Sequence, residues 1–116
     1  MRNFRLIAFV LIICVGCIAN RSAAAFYGRC TLIVDGRTFL NGRCNIDMQP
    51  DGSFSIGVAE TNPSRYFAYV NLQSDGTALG SWNGVDAESH AGESLGTLTR
   101  KGACWFNSRA KVCAVR

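Results

Sequence analysis

Apolar and polar residues alternate along most of the chain after residue 26, and turn-forming residues interrupt the alternation every few positions. This period of two is typical of half-buried β-strands, and no stretch keeps the spacing of an amphipathic helix for three turns. The predicted strands are Cys30–Val34, Arg37–Leu40, Cys44–Met48, Ser53–Val58, Tyr66–Leu72, Thr77–Trp82, Leu95–Thr99, Ala103–Phe106 and Ala110–Val115. Eight or so short strands predict an all-β domain, either a small antiparallel β-barrel or a sandwich.

Turn residues mark the predicted connections between these strands. The pairs Asp35-Gly36 and Asn41-Gly42 supply the positive φ angles that two-residue hairpin turns require. The sequence therefore predicts two successive tight hairpins between Cys30 and Met48. Asn83-Gly84 is expected to open a polar loop that runs to Ser94.

The N-terminal 25 residues have the three parts of a secretory signal. A basic start, Met1–Arg5, precedes the apolar run Leu6–Ala19 and the small residues Ser22–Ala25. The run is too short for a membrane span, so the prediction is a signal peptide at 1–25 and a single β domain at 26–116 in the periplasm. Two alternatives are secretion and, because Val15-Gly16-Cys17 resembles the end of a bacterial lipobox, a lipid anchor on Cys17.

Four cysteines follow the signal, and an even number in an oxidising compartment predicts two disulfides. A two-residue loop at Ser108-Arg109 would make the last two strands a hairpin. Its facing pairs would be Asn107 with Ala110, Phe106 with Lys111, Trp105 with Val112, and Cys104 with Cys113. The last pair would be non-hydrogen-bonded, with Cα atoms about 4.5 Å apart, and a cross-strand disulfide fits that spacing.

Elimination pairs Cys30 with Cys44. Two tight hairpins would instead place Cys44 opposite Phe39. Either one of those turns is looser than its residues suggest, or the connectivity differs, since four cysteines allow three pairings.

Charge is nearly balanced in the predicted domain. The chain carries +4, but Arg2, Arg5 and Arg21 lie in the signal, which leaves nine Lys and Arg against eight Asp and Glu. No Lys or Arg lies between Tyr66 and Thr99. The acids of that stretch are Asp75, Asp86, Glu88 and Glu93. This distribution argues against nucleic-acid binding and suggests an acidic patch that could meet a cationic partner.

Neither metal nor catalytic chemistry is indicated. The cysteines form no Cys-x₂₋₄-Cys knuckle, so no zinc site and no cofactor are expected. Glu88, Ser89 and His90 are consecutive, and neighbours on an extended chain point in opposite directions, so they are not expected to form a Ser-His-acid triad. The sequence therefore predicts a protein that is not an enzyme.

Two tryptophans suggest a carbohydrate alternative, because an exposed indole stacks well on sugars. Trp105, next to a cysteine, is expected to pack in the core. Trp82 precedes the polar loop and is the candidate for contact with glycan or peptidoglycan.

The segment Leu98–Trp105 contains Lys101 followed by Gly102. Together with the signal and the small disulfide-braced β domain, it resembles the periplasmic and membrane-bound inhibitors of c-type lysozyme found in Gram-negative bacteria. The resemblance implies a small barrel that inserts a loop into the lysozyme cleft, where a serine hydroxyl and a lysine ammonium engage the two catalytic carboxylates. By position, it implies Ser89 or Ser94 as the serine and Lys101 as the lysine.

The sequence thus predicts an exported protein-binding domain whose favoured partner is a c-type lysozyme. The predicted contact residues are Ser89, Ser94, Lys101, Asp86, Glu88 and Trp82. The alternatives are a carbohydrate- or peptidoglycan-binding module and a structural envelope protein. An exposed edge strand at Tyr66–Leu72 would also allow a homodimer.

Overall fold

The computed structural model describes residues 24–116, which form eight antiparallel strands and no helix. The strands are β1 (Ala24–Val34), β2 (Arg37–Met48), β3 (Phe54–Ile56), β4 (Ala68–Leu72), β5 (Ala78–Trp82), β6 (Glu93–Lys101), β7 (Cys104–Phe106) and β8 (Ala110–Val115). Each strand pairs with the next in the chain, and β8 pairs with β1, so the sheet closes into a barrel. The predicted antiparallel β-barrel is confirmed. Cys14 and Cys17 of the predicted signal lie outside the described residues.

Connections alternate between two ends of the barrel because every strand is antiparallel to its neighbours. The upper end holds the connections at 35–36, 57–67, 83–92 and 107–109. The lower end holds those at 49–53, 73–77 and 102–103, together with the start of β1 and the end of β8. These two ends carry different sets of polar side chains.

Alternating residues of each strand fill the barrel interior, as the period of two requires. The largest aliphatic side chains of this core are all almost completely buried: Leu32, Val34, Ile46, Ile56, Val70, Leu95, Leu98 and Val112. Trp105 is 7% exposed and belongs to the same cluster, which confirms its predicted core position. The interior is therefore filled by side chains.

The hairpin turn predicted at Asn41-Gly42 is wrong, because both residues lie inside β2. Asn41 pairs with Thr31, and Gly42 pairs with Cys30. The first strand begins at Ala24, six residues before its predicted start, and this extra length gives the continuation of β2 a partner. Tertiary pairing therefore overrides the local turn preference of an Asn-Gly pair.

Both disulfides form as predicted, but on opposite faces of the sheet. Cys30 and Cys44 face the interior as diagonal neighbours, with Cα atoms 6.0 Å apart. The continuous β2 removes the conflict that two tight hairpins created. Cys104 and Cys113 are direct cross-strand partners with Cα atoms 4.1 Å apart. The predicted register of the last hairpin is confirmed.

No strand of the described barrel presents the free edge expected at Tyr66–Leu72. The strand there begins at Ala68 and pairs with β3 on one side and β5 on the other. The predicted strand Ser53–Val58 also shortens to Phe54–Ile56, because Gly57 has a φ of 86° and turns the chain away after a last bond from its N–H to the Asn45 carbonyl oxygen. The exposed edge expected at this segment is therefore wrong, since closure gives β4 a partner strand on each side.

Candidate functional site

The hairpin that joins β6 and β7 carries Lys101 at the lower end. Lys101 pairs with Cys104 across a two-residue turn, in which Gly102 has a φ of 63°. The disulfide from Cys104 to Cys113 ties this hairpin to β8. A short turn and a cross-link next to the tip hold the lysine backbone in one position, so little ordering is needed when a partner binds.

The Lys101 side chain is exposed and lacks a counter-ion among residues 24–116. The salt bridge found among residues 24–116 joins Arg109 to Asp35 at the upper end, where Arg109 Nε lies 3.1 Å from Asp35 Oδ1. Next to Lys101, Arg100 donates from Nε to the Gly102 carbonyl at 2.9 Å and braces the turn. The ammonium of Lys101 is therefore available to an external carboxylate.

The loop between β5 and β6 carries Asp86, Glu88 and Ser89 at the upper end. Asn83, 1% exposed, holds this loop in place: its Nδ2 donates to the carbonyl oxygens of Arg65 and Glu88 at 2.9 and 3.1 Å. The sequence marks Asn83 only as a turn residue. Its organising role depends on the two upper-end loops meeting, which local sequence does not reveal.

Ser89 and His90 contact each other, contrary to the expectation for neighbours on an extended chain. Ser89 Oγ and His90 Nδ1 are 3.0 Å apart. The chain bends here after Ala87, which has a φ of 53°, so the two side chains reach the same side. They border a surface groove of about 460 Å³ that Phe67 and Tyr69 also line. Among the described residues, no carboxylate hydrogen-bonds to His90.

Ser94 lies at the start of β6, and its hydroxyl serves local structure. Ser94 Oγ accepts a hydrogen bond from the Gly96 N–H at 3.0 Å, where the register between β5 and β6 shifts. Its carbonyl oxygen accepts a bond from Arg109 Nη1 at 2.9 Å. The backbone around Ser94 is therefore held by its own neighbours at the upper end.

The structure does not bring either serine close to Lys101. Strand β6 runs from the upper to the lower end, and at about 3.3 Å per residue Ser94 and Lys101 are roughly 23 Å apart along it. Ser89 lies in the loop before that strand, at the same end as Ser94. The nearest hydroxyl on the same strand face as Lys101 is that of Thr99, two residues earlier.

Trp82 is 1% exposed, which contradicts its assignment as a surface contact for sugars. Its ring lies 4.7 Å from the Phe39 ring and 6.2 Å from the Tyr66 ring, measured between centroids. Its Nε1 finds no hydrogen-bond partner among the described residues. This aromatic cluster closes the upper end of the barrel, so Trp82 has no face free to stack on a ligand.

The four acids expected to form one patch divide between the two ends. Asp86, Glu88 and Glu93 lie at the upper end, whereas Asp75 lies in the β4–β5 turn at the lower end. Asp75 Oδ1 accepts hydrogen bonds from Thr77 Oγ1 at 2.6 Å and from the Thr77 N–H at 2.9 Å. These bonds lower the pKa of Asp75 from its ordinary value of 3.8.

Comparison with protein-family models, curated proteins and solved structures finds no match to this chain. Within residues 24–116, no group of three His, Cys, Asp or Glu side chains is placed to hold a metal ion. The same residues contain no helix long and apolar enough to cross a membrane. The function is therefore inferred from the geometry of the two ends and the outer sheet face.

Proposed function

We propose that this protein is an exported, non-enzymatic binding domain that inhibits a c-type lysozyme by inserting its β6–β7 hairpin into the enzyme cleft. The observation that carries the proposal is Lys101, an exposed cation without a counter-ion in the described chain, on a disulfide-tied hairpin tip. Two stabilising disulfides in a small domain agree with export to an oxidising compartment, for which we propose the periplasm.

The chemistry of the proposed contact is a charge-assisted hydrogen bond. The ammonium of Lys101 would donate to one or both catalytic carboxylates, and such bonds are about twice as strong as neutral ones. A cleft that excludes water strengthens the interaction further, because the local dielectric is lower than that of water. Substrate would have to displace this cation to reach the carboxylates.

The second polar contact would come from Thr99 rather than from a loop serine. Ser89 and Ser94 are at the opposite end of the barrel, too far away to enter the cleft that holds Lys101. Thr99 lies on the same strand and the same face as Lys101, about 7 Å along the chain. Its hydroxyl makes only a long 3.5 Å bond to the Phe106 carbonyl, so it can reorient toward a partner.

The test is inhibition of cell-wall hydrolysis by a c-type lysozyme, measured with purified, fully oxidised mature protein. Lys101→Ala should weaken inhibition by about 30-fold to several thousand-fold, because truncating one member of a buried charge-assisted pair costs roughly 2–5 kcal/mol in binding. Arg65→Ala is the matched control, since it removes an exposed cation at the upper end. It should inhibit like the wild type.

Two results would reject this function. The first is a folded, oxidised wild-type domain that leaves hydrolysis unchanged at a large molar excess. The second is Lys101→Ala protein that inhibits as strongly as the Arg65→Ala control. A Thr99→Val variant tests the hydroxyl separately and should weaken inhibition less than the loss of Lys101, because a neutral hydrogen bond is worth less than a charged one.

A further inference from the structure

Basic side chains lie on the outer face of three neighbouring strands, β8, β1 and β2. We call this the cationic face and define it by Arg29, Arg43 and Lys111, all exposed. Arg29 of β1 is directly opposite Arg43 of β2, and on its other side it faces Val115 of β8. Like charges at directly opposed positions destabilise a sheet, so the Arg29–Arg43 pair does not serve folding.

No carboxylate among residues 24–116 forms a salt bridge with these three cations. Arg43 Nη2 donates to the Tyr27 carbonyl at 3.2 Å, and its guanidinium carbon lies 5.3 Å from the Tyr27 ring centre. The carboxylate of Asp47, lower on β2, accepts a bond from Asn45 instead. The positive charge of the face is therefore uncompensated within the described chain.

Large apolar side chains stand between and beside these cations. Tyr27 of β1 is 63% exposed, the highest value among the exposed large apolar side chains of residues 24–116, and Val115 of β8 is 44% exposed. Phe106 of β7, opposite Lys111, is 38% exposed. Cations interleaved with an exposed tyrosine and aliphatic groups are the composition of surfaces that bind at a lipid headgroup layer.

We infer that the cationic face docks on an anionic lipid surface, with the arginines and Lys111 at the lipid phosphates and Tyr27 and Val115 at the headgroup boundary. Each Lys or Arg near such a surface contributes attraction that falls off within a Debye length. A nucleic acid fits less well, because the domain is nearly balanced in charge and the face offers apolar groups where a polyanion would need further cations.

This inference is independent of the proposed lysozyme contact. Lys101 is not one of the residues that define the cationic face, although it lines the same surface depression as Lys111 and Phe106. The variants used below therefore change Arg29 and Arg43, which lie outside that depression. A protein could lose lipid binding through Arg29 and Arg43 and keep its inhibitory hairpin, and the reverse also holds. Measuring both activities on the same variants therefore separates the two proposals.

The experiment is sedimentation of the oxidised mature protein with phosphatidylglycerol vesicles and, separately, phosphatidylcholine vesicles, at about 0.1 M salt and at about 1 M salt. Wild-type protein should bind the anionic vesicles at the lower salt and release at the higher. The double variant Arg29→Glu with Arg43→Glu should bind at least about 30-fold more weakly, since two positive side chains are replaced by negative ones.

The control is the double variant Arg37→Glu with Arg65→Glu. It changes the net charge by the same amount. Each of these arginines also lies over an aromatic ring: the guanidinium carbon is 4.8 Å from the Phe39 ring centre for Arg37 and 5.4 Å from the Tyr66 ring centre for Arg65. Both residues lie at the upper end, outside the cationic face. This variant should retain most of the vesicle binding, which separates a specific face from a general effect of net charge.

A fluorescent reporter gives a second measurement that does not depend on charge reversal. Trp82 and Trp105 are buried, at 1% and 7% exposure, so their emission should change little on docking. Tyr27→Trp would place an indole on the cationic face, and the emission of this variant should shift to shorter wavelength with anionic vesicles only.

Five results would overturn the inference, four of them from the vesicle experiments. They are no binding of wild-type protein to anionic vesicles, equal binding to both vesicle types, equal losses in the two double variants, and an unshifted emission of the vesicle-bound Tyr27→Trp variant. Binding to duplex DNA without binding to vesicles would also overturn it, in favour of a polyanion-binding face.

Discussion

The Asn83 side-chain carbonyl oxygen accepts a hydrogen bond of 3.0 Å from the Phe67 N–H. The same side chain donates to two further backbone carbonyls, so one buried amide joins the loop before β4 to the loop after β5. Three of the four hydrogen bonds that an amide can make are thus used at one position. This network sets the conformation of the loop that carries Asp86, Glu88 and Ser89.

Replacing Asn83 with alanine should therefore destabilise the fold by about 2 kcal/mol or more, because buried backbone groups would lose their partners. Urea unfolding at neutral pH measures the change. Asn71→Ala, on an exposed position of β4, is the control and should stay within about 0.5 kcal/mol of the wild type. Equal midpoints for the two variants would mean that the network adds no stability.

Two glycines on neighbouring strands should respond in opposite ways to alanine. A Cβ on Gly28 would meet the Val115 carbonyl oxygen and lie 2.8 Å from Ile46 Cδ1, so overpacking should cost about 1–3 kcal/mol. A Cβ on Gly42 would have no atom within 4 Å. Gly42→Ala should therefore stabilise the fold by up to about 1 kcal/mol, because alanine lowers the conformational entropy of the unfolded chain.

Thermal unfolding of both alanine variants provides the measurement. It also tests the strand assignment at Asn41-Gly42. A hairpin turn there would need a positive φ at Gly42, and alanine would then be strained. Marked destabilisation by Gly42→Ala would contradict the continuous β2.

Peptide mapping of oxidised protein should return the bridges Cys30–Cys44 and Cys104–Cys113, with no free thiol among these four cysteines. Each loop closure should contribute about 3 kcal/mol in the chain-entropy model. Cys30 and Cys44 are both buried, at 1% and 2% exposure, whereas in the outer pair Cys113 is 5% exposed and Cys104 is only half-buried, so replacing the inner pair with alanine should cost more. Equal losses in unfolding free energy would show that burial of the inner bridge is unimportant.

The pKa of Asp75 should lie below 3.8 in the folded protein, because Thr77 donates two hydrogen bonds to its carboxylate. A depressed folded pKa stabilises the fold at pH values above the unfolded pKa. That contribution is lost as the pH falls through the folded pKa. Carboxyl NMR titration measures the pKa directly, and Asp75→Asn should remove this part of the acid sensitivity. A pKa at or above 3.8 would refute the turn interaction.

Only part of the candidate site can be predicted from the sequence. Lys101 stands out because it precedes Gly102, and it does lie at an exposed hairpin tip. Its expected companion serine, Ser89, lies at the other end of the barrel, because β6 runs from the upper to the lower end between Ser89 and Lys101. The distance between the two side chains therefore depends on the fold. The Arg29–Arg43 pair escapes sequence reasoning for a similar reason: the residues are fourteen apart in the chain and meet only through the β1–β2 register.

The sequence by itself determined the all-β class, the register of the last hairpin and the Cys104–Cys113 bridge, because alternation and a two-residue loop are local properties. Only the tertiary structure decided that Asn41-Gly42 continues a strand, that β4 has no free edge and that Trp82 is buried. Each of these depends on pairing or packing between segments distant in the chain. The free energy of this pairing and packing outweighs the local preference of an Asn-Gly pair for a turn and the expectation that a residue beside a polar loop is exposed.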